Sequence, residues 1–136
     1  MKQYDFPFPN EEKGYSLFPS DLEESDNILF HGTAIENFDA IVSDGFKSAK
    51  EIGKGTNPNF LLESVSYAKT SNQCLAYVCN NRDESNPKDG VVFVVKFDSL
   101  DVFGITNNFD DIHVNLPNIQ PEIIGYCIVP KEYKFI

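Results

Sequence analysis

The chain is poor in basic residues and in histidine, and both shortages limit what it can bind. Its 136 residues include 11 Lys and Arg against 21 Asp and Glu, for a net charge of −10, with only two His. Because nucleic-acid backbones are bound through clustered Lys and Arg, this balance disfavours a duplex partner. It also disfavours an anionic membrane surface, while a short nucleic-acid end or a free nucleotide stays open.

Cysteine and long apolar runs are scarce as well. The three cysteines, Cys74, Cys79 and Cys127, form no C-x-x-C motif, so we expect reduced, partly buried thiols and no metal site. No apolar run approaches the roughly 20 residues that span a bilayer. The first residues also lack the apolar stretch of a signal peptide. We therefore expect a cytoplasmic protein, or one delivered into the cytoplasm of a host cell.

The residues that are abundant predict a folded α+β protein. Apolar residues make up 41% and aromatic residues 13% of the chain, enough to bury a core. We expect residues 1–26, rich in Pro, Ser and acids, to form an arm that packs on the rest through its aromatic side chains. Residues 27–136 are expected to form a single domain. Helical patterns come early and strand patterns late, which favours α+β over regular α/β alternation.

The best local pattern is a strand followed by a capped helix. A strand is predicted over NILFHG (27–32) and a helix over the residues that follow, up to DGF. Thr33 and Glu36 have the spacing of a capping box, in which side chains satisfy the free N–H groups of the first helical turn. Gly45 stands where a left-handed cap would end the helix.

Further elements are predicted along the rest of the chain. A second helix is predicted over ESVSYAKTSNQCLAYVCNN (63–81), where apolar residues recur at loosely helical spacing. His113 is expected on the polar, exposed face of its strand, as a structural residue. The predicted strands are FLL (60–62), VVFVVKF (91–97), DDIHVNL (110–116), EIIGYCIV (122–129) and an edge strand YKFI (133–136).

Three places combine polar groups with a strand end or a turn. They are His31-Gly32-Thr33, the segment from Phe60 through Ser64 to Tyr67, and Gln120-Pro121-Glu122. Each has an ordinary structural explanation when taken alone: a satisfied histidine, a helix cap, a core ring, or the last solvated residue before a buried strand. Their order along the chain points to a common site.

In that order the chain resembles the ADP-ribosyltransferase superfamily, in its histidine–tyrosine–glutamate branch. This branch includes diphtheria-toxin-like enzymes, poly(ADP-ribose) polymerases and the small rifamycin-modifying transferases. The resemblance covers Leu29 to Val129 and implies a compact fold in which two small antiparallel or mixed sheets, with flanking helices, form an NAD cleft. The blocks that carry it read LFHGT, IVSDGF, NFLLESVSYA and QPEIIGY.

The resemblance implies a catalytic role for Glu122, as the carboxylate that stabilises the ribosyl cation, and for His31 and Tyr67. It implies that Gly32 binds the nicotinamide carboxamide through its backbone, an approach that only glycine permits. Gln120, two residues before Glu122, is expected to help select the acceptor. Tyr77 stands in reserve as the ring that stacks on nicotinamide. The NAD-binding residues implied are His31, Gly32, Thr33, Phe60, Ser64 and Tyr67.

The function that follows is NAD-dependent mono-ADP-ribosyl transfer without a metal. Cleavage of the nicotinamide–ribose bond builds a cation that a carboxylate stabilises in the transition state. The acceptor is left open among a protein side chain, a small molecule and a nucleic acid. The alternatives are an NAD glycohydrolase, an RNA 2′-phosphotransferase on the same fold, and a non-catalytic nucleotide-binding or interaction module. The biological role (resistance, toxin or phage–host conflict) and the oligomeric state stay open too.

Overall fold

The computed structural model describes residues 1–48 and 64–135, and these form a mixed α+β structure around one open sheet. The predicted strand 60–62 and the candidate ring Phe60 lie outside the described residues. The strands are β1 (Lys2–Tyr4), β2 (Ile28–Ala34), β3 (Val65–Ala68), β4 (Gly90–Lys96), β5 (Ile105–Asn107), β6 (Asp111–Val114) and β7 (Glu122–Val129). The helices are α1 (Ser20–Glu23), a 3-10 turn (Ile35–Asn37), α2 (Phe38–Asp44) and α3 (Ser71–Asn80).

The seven strands lie in the order β1-β7-β4-β2-β3-β6-β5. β1 runs parallel to β7, and the other neighbours are antiparallel. The α+β prediction is confirmed at this coarse level, whereas the two separate small sheets are replaced by one hydrogen-bonded sheet.

That sheet has a weak point between β2 and β3. β2 pairs with β4 along its full length, and β3 pairs with β6 along its full length. Between β2 and β3, however, the register contains only one residue pair, Phe30 with Ala68. The sheet is therefore two halves that meet at one pair and then diverge.

Apolar residues cover both faces of the sheet. β4 is buried from Val91 to Val95, as its β-branched and aromatic composition predicts for a central strand. Val92 and Val94 pack on the face that α3 and the N-terminal residues Leu17 and Phe18 cover. On the other face, Val91, Phe93 and Val95 pack with Phe46 and the half-buried side chains of α2.

The strands predicted from composition and alternation are confirmed at β4, β6 and β7, and the last has the predicted bounds. The start of the first helix differs. β2 continues through Thr33 to Ala34, so Thr33 is a strand residue and its Oγ1 accepts a hydrogen bond from Asn37 Nδ2 at 2.9 Å. The predicted capping box is therefore wrong. Gly45 does end α2, and its φ of 85° is positive, as the predicted left-handed cap requires. Its ψ of 179°, however, is that of extended backbone.

The second predicted helix begins too early. Residues 65–68 form β3, in which Val65 and Tyr67 are buried and Ser66 between them is exposed. Buried and exposed side chains thus alternate every second residue, as they do along a strand that pairs with two neighbours. This pairing decides the structure here, rather than the loose helical spacing of the apolar residues. The helix itself begins at Ser71, and its capping box is Thr70 with Gln73, whose Oε1 accepts from the Thr70 backbone N–H at 3.3 Å.

Both ends of the described chain pack on the sheet. β1 pairs with β7, and Glu23 of α1 accepts a hydrogen bond from the Ser71 backbone N–H at the start of α3, at 3.3 Å. Near the other end, residues 133–135 form no strand, in contrast to the predicted edge strand; the Arg82 guanidinium binds this segment by donating to the Tyr133 carbonyl at 2.7 Å. Among the described residues, no helix has the length and apolar character needed to cross a membrane.

Candidate functional site

A cavity of about 390 Å³ lies where β2 and β3 diverge, beside α3; we call it the inter-strand cavity. Strand β2 contributes His31 and Gly32 to its lining, and α3 contributes Tyr77. Ser66 of β3 and Asp111 of β6 add polar groups to its lining. The cavity exists because the two halves of the sheet share only one residue pair, so polar groups of both halves face an open space.

His31 is held in one tautomer. Its Nδ1 lies 2.9 Å from the carbonyl oxygen of Ser66, which can only accept, so Nδ1 carries the proton and donates it. Burial lowers the pKa of His31, and the hydrogen bond to Ser66 offsets this only in part, so the ring is neutral near pH 7. Nε2 then carries a lone pair. It makes no hydrogen bond within the described residues and can accept one from a ligand hydroxyl.

His31 also lines a second cavity, of about 480 Å³, beside α2. Thr33 also lines both cavities, whereas Asp44 and Lys47 line only the second one. His31 and Thr33 therefore border both cavities.

The structure explains Gly32 by packing. A Cβ at this position would lie 3.0 Å from the backbone oxygen of Cys74 and 3.0 Å from Val78 Cγ2, so α3 approaches β2 closely only because the residue is glycine. Burial raises the pKa of the Cys74 thiol to about 12, although the nearby backbone of Gly32 and Ala68 favours its thiolate. Gly32, Ala68 and Cys74 all line the inter-strand cavity.

The two tyrosines occupy opposite environments. Tyr67 is only 1% exposed, and its ring lies 5.4 Å from Phe46 and 5.1 Å from Phe97, centroid to centroid. Its hydroxyl has no hydrogen-bond partner within the described residues, and burial raises its pKa. Tyr67 is among the residues that line the cavity, but it is a core ring packed against other aromatic rings. Tyr77, 58% exposed on α3, presents its ring to the cavity.

Glu122 lies away from this cavity. It is exposed at the start of β7, where it pairs with Lys96, which in turn pairs with Ile28. Cross-strand partners share a face, so Glu122 lies on the face of Ile28, where α3 packs. Side chains alternate between the two faces along a strand, and His31 comes three residues after Ile28. His31 therefore lies on the opposite face, against Phe46. The structure therefore separates Glu122 from His31.

The carboxylate that the structure does bring to the cavity is Asp111. It begins β6 opposite Ala68 and is 40% exposed. Its Oδ2 lies 3.0 Å from His113 Nε2, and its Oδ1 accepts a hydrogen bond from Asn108 Nδ2 at 3.3 Å. The alternation in DDIHVNL does place Asp111 and His113 on one face of a strand. The sequence gives no sign that this strand pairs with β3, so this residue was missed.

The remaining predicted site residues have structural roles. Gln120 holds the end of α2: its Oε1 accepts from the Phe46 N–H at 2.9 Å, and its Nε2 donates to the Phe46 carbonyl at 2.8 Å. Its side-chain amide is thus used within the protein, which does not favour contact with an acceptor. Ser64 is buried, bonded to His113 Nδ1 at 3.2 Å, and lies outside the cavity lining. His113 is half-buried rather than exposed.

Taken together, the cavity offers a carboxylate, a neutral imidazole acceptor and an exposed ring. Such a set can bind a polar aromatic ligand and stabilise a positive charge that develops on it. Neither a protein-family model, nor a curated protein sequence, nor a solved structure matches this chain.

Proposed function

We propose that the chain is an NAD-dependent ADP-ribosyltransferase whose active site is the inter-strand cavity. One observation carries the proposal: His31, Tyr77 and Asp111, from three separate elements, line the same cavity. These three residues keep the order histidine, tyrosine, acid that the resemblance implies, with Tyr77 and Asp111 in the roles first expected of Tyr67 and Glu122.

The proposed chemistry assigns the carboxylate to the developing cation. When the bond between nicotinamide and C1′ of the ribose breaks, positive charge moves from the pyridinium to the sugar, and nicotinamide leaves with the bonding electrons. A carboxylate beside the sugar stabilises this charge more in the transition state than in bound NAD. Asp111 is the carboxylate at the cavity that serves this purpose.

The remaining groups of the cavity hold and orient the cofactor. The exposed ring of Tyr77 stacks on nicotinamide, which gives orientation at low entropic cost. The carboxamide meets the backbone of Gly32, which lines the cavity. His31 Nε2 accepts a hydrogen bond from a ribose hydroxyl, and the rest of the dinucleotide continues into the cavity beside α2.

A non-catalytic NAD-binding module is the second candidate, and one observation favours it. Both carboxylate oxygens of Asp111 already have partners, His113 Nε2 and Asn108 Nδ2. If these bonds persist when NAD is bound, the carboxylate is less available to the sugar. Binding of NAD without release of nicotinamide is the result that would establish this alternative.

The test is nicotinamide release from NAD by the purified chain and two matched carboxylate variants. We expect Asp111→Asn to lower the rate by about 10²–10³-fold, the usual cost of losing one group that stabilises transition-state charge. Glu122→Gln should leave the rate unchanged, since Glu122 does not line the inter-strand cavity.

Calorimetry with NAD and the melting temperature of each variant separate a loss of chemistry from a loss of binding or folding. Full activity in a folded Asp111→Asn variant, or loss of activity in Glu122→Gln alone, would overturn the assignment of Asp111.

A further inference from the structure

Three polar side chains form a continuous hydrogen-bonded chain beside the inter-strand cavity. Ser66 Oγ lies 3.0 Å from His113 Nδ1, and His113 Nε2 lies 3.0 Å from Asp111 Oδ2. The strands create this arrangement directly: Ser66 is the cross-strand partner of His113, and Asp111 precedes His113 by two residues on the same face of β6. A hydroxyl, an imidazole and a carboxylate in this order are the parts of an activated nucleophile.

The acceptor and donor roles follow from the partners. A carboxylate only accepts, so Asp111 holds the imidazole with its proton on Nε2. The lone pair is then on Nδ1, where it faces a serine hydroxyl and can take its proton. The carboxylate also stabilises the imidazolium that forms.

Two serines share Nδ1, and their environments differ. Ser64 Oγ lies 3.2 Å from Nδ1, but Ser64 is buried and lies outside the cavity lining. Ser66 is exposed and lines the inter-strand cavity. Of the two hydroxyls that His113 can deprotonate, only that of Ser66 is open to a ligand in the cavity.

We propose that Ser66 is itself an acceptor, so that the chain transfers ADP-ribose to its own Ser66 hydroxyl. This inference rests on the proposed function. The bond from Ser66 Oγ to C1′ forms as the bond from C1′ to the nicotinamide nitrogen breaks. Neutral nicotinamide leaves with the electron pair, and the Ser66 proton passes to His113 Nδ1. The positive charge of the pyridinium thus ends on the imidazolium, beside Asp111.

Two features favour Ser66 over a distant acceptor. The hydroxyl and the proposed NAD site belong to one chain and one cavity, so the reaction needs no second encounter. The base is already bonded to the hydroxyl, so the acceptor class is an aliphatic alcohol rather than a carboxylate, which has no proton for His113 to remove.

The experiment incubates the full chain with NAD that is labelled in its adenosine half, and records two quantities. One is nicotinamide release; the other is label that stays on the denatured chain, located by peptide mass spectrometry. We expect label on Ser66, its loss in Ser66→Ala, and its retention in the matched control Ser64→Ala. His113→Gln should slow labelling by about 10²-fold or more, the usual contribution of a general base.

The two readouts separate the two hypotheses. Release of nicotinamide with no label on Ser66 overturns this inference and leaves the proposed function intact. Absence of nicotinamide release overturns the proposed function. Label that Ser66→Ala retains in full also overturns the inference, since another residue then accepts. Because the transfer is within one chain, the labelled fraction at a given time should not depend on protein concentration; a proportional dependence would contradict it.

Discussion

At the scale of single residues, the environment rather than the residue type decides which aromatic ring is available to a ligand. The sequence favours Tyr67 because it follows Ser64 in the order that the resemblance implies. The structure buries Tyr67 among Phe46 and Phe97 and leaves Tyr77 exposed at the cavity. Sequence order cannot make this distinction, because it depends on which face of a short strand meets the core.

The first prediction concerns these two rings. We expect Tyr77→Ala to raise KM for NAD by about tenfold, since stacking on an aromatic ring contributes about 1–3 kcal/mol per base. Tyr67→Phe should leave KM unchanged and keep or slightly raise the free energy of unfolding, because it removes a buried hydroxyl without a partner among the described residues. Steady-state kinetics and denaturant unfolding measure both. A raised KM in Tyr67→Phe with none in Tyr77→Ala would reverse the assignment.

The second residue-scale prediction concerns pH. The pKa of His31 lies below its usual 6.5, chiefly because of burial. Below that pH the unfolded chain binds a proton here that the folded chain does not, so the free energy of unfolding falls as the pH falls. In His31→Gln this contribution is absent. Denaturant unfolding at about pH 7 and about pH 5 should therefore show a smaller loss of stability in the variant than in the unaltered chain.

Both proteins contain the other titrating groups. Their effect on the free energy of unfolding therefore cancels when the variant is compared with the unaltered chain. Equal loss of stability in both proteins would show that His31 is free to take up a proton in the folded state. The lone pair at Nε2, on which its proposed role depends, would then be absent at mildly acidic pH.

At the scale of elements, apolar runs and two-residue alternation predict the strands better than helical spacing and capping patterns predict the helices. The apolar runs of β4 and β7 and the alternation in β6 identify these strands directly. β3 was missed because it has only four residues, and its partners, β2 and β6, come from distant parts of the chain. Thr33 was misassigned for the same reason: pairing of β2 with β4 extends the strand past a good local cap.

Gln120 provides the element-scale prediction. Its amide binds both backbone groups of Phe46, so it fixes the end of α2 against the segment before β7. We expect Gln120→Ala to lower the free energy of unfolding by about 1–3 kcal/mol, because it leaves partly buried backbone groups without partners. Denaturant unfolding measures this, with Gln3→Ala on the exposed strand β1 as control. Unchanged stability together with altered acceptor use would restore the acceptor-selecting role first expected of Gln120.

At the scale of the whole molecule, the strand order explains why the candidate carboxylate could not be chosen from the sequence. β6 and β7 follow each other in the chain, yet they lie on opposite sides of β2: β7 beyond β4, and β6 beyond β3. Only the second side opens into the inter-strand cavity. The local sequence predicts His31 as a site residue at a strand end, whereas the structure places it in the middle of β2 and the choice of Asp111 over Glu122 depends on long-range pairing.

The proposed function requires that the inter-strand cavity bind the nicotinamide riboside half of NAD. The most direct test is a crystal structure of the chain with an NAD analogue whose nicotinamide–ribose bond cannot be cleaved. We predict the nicotinamide ring against Tyr77, its carboxamide at the Gly32 backbone, and the ribose beside Asp111. An analogue bound beside Glu122, or in any cavity that does not include His31, would contradict the claim.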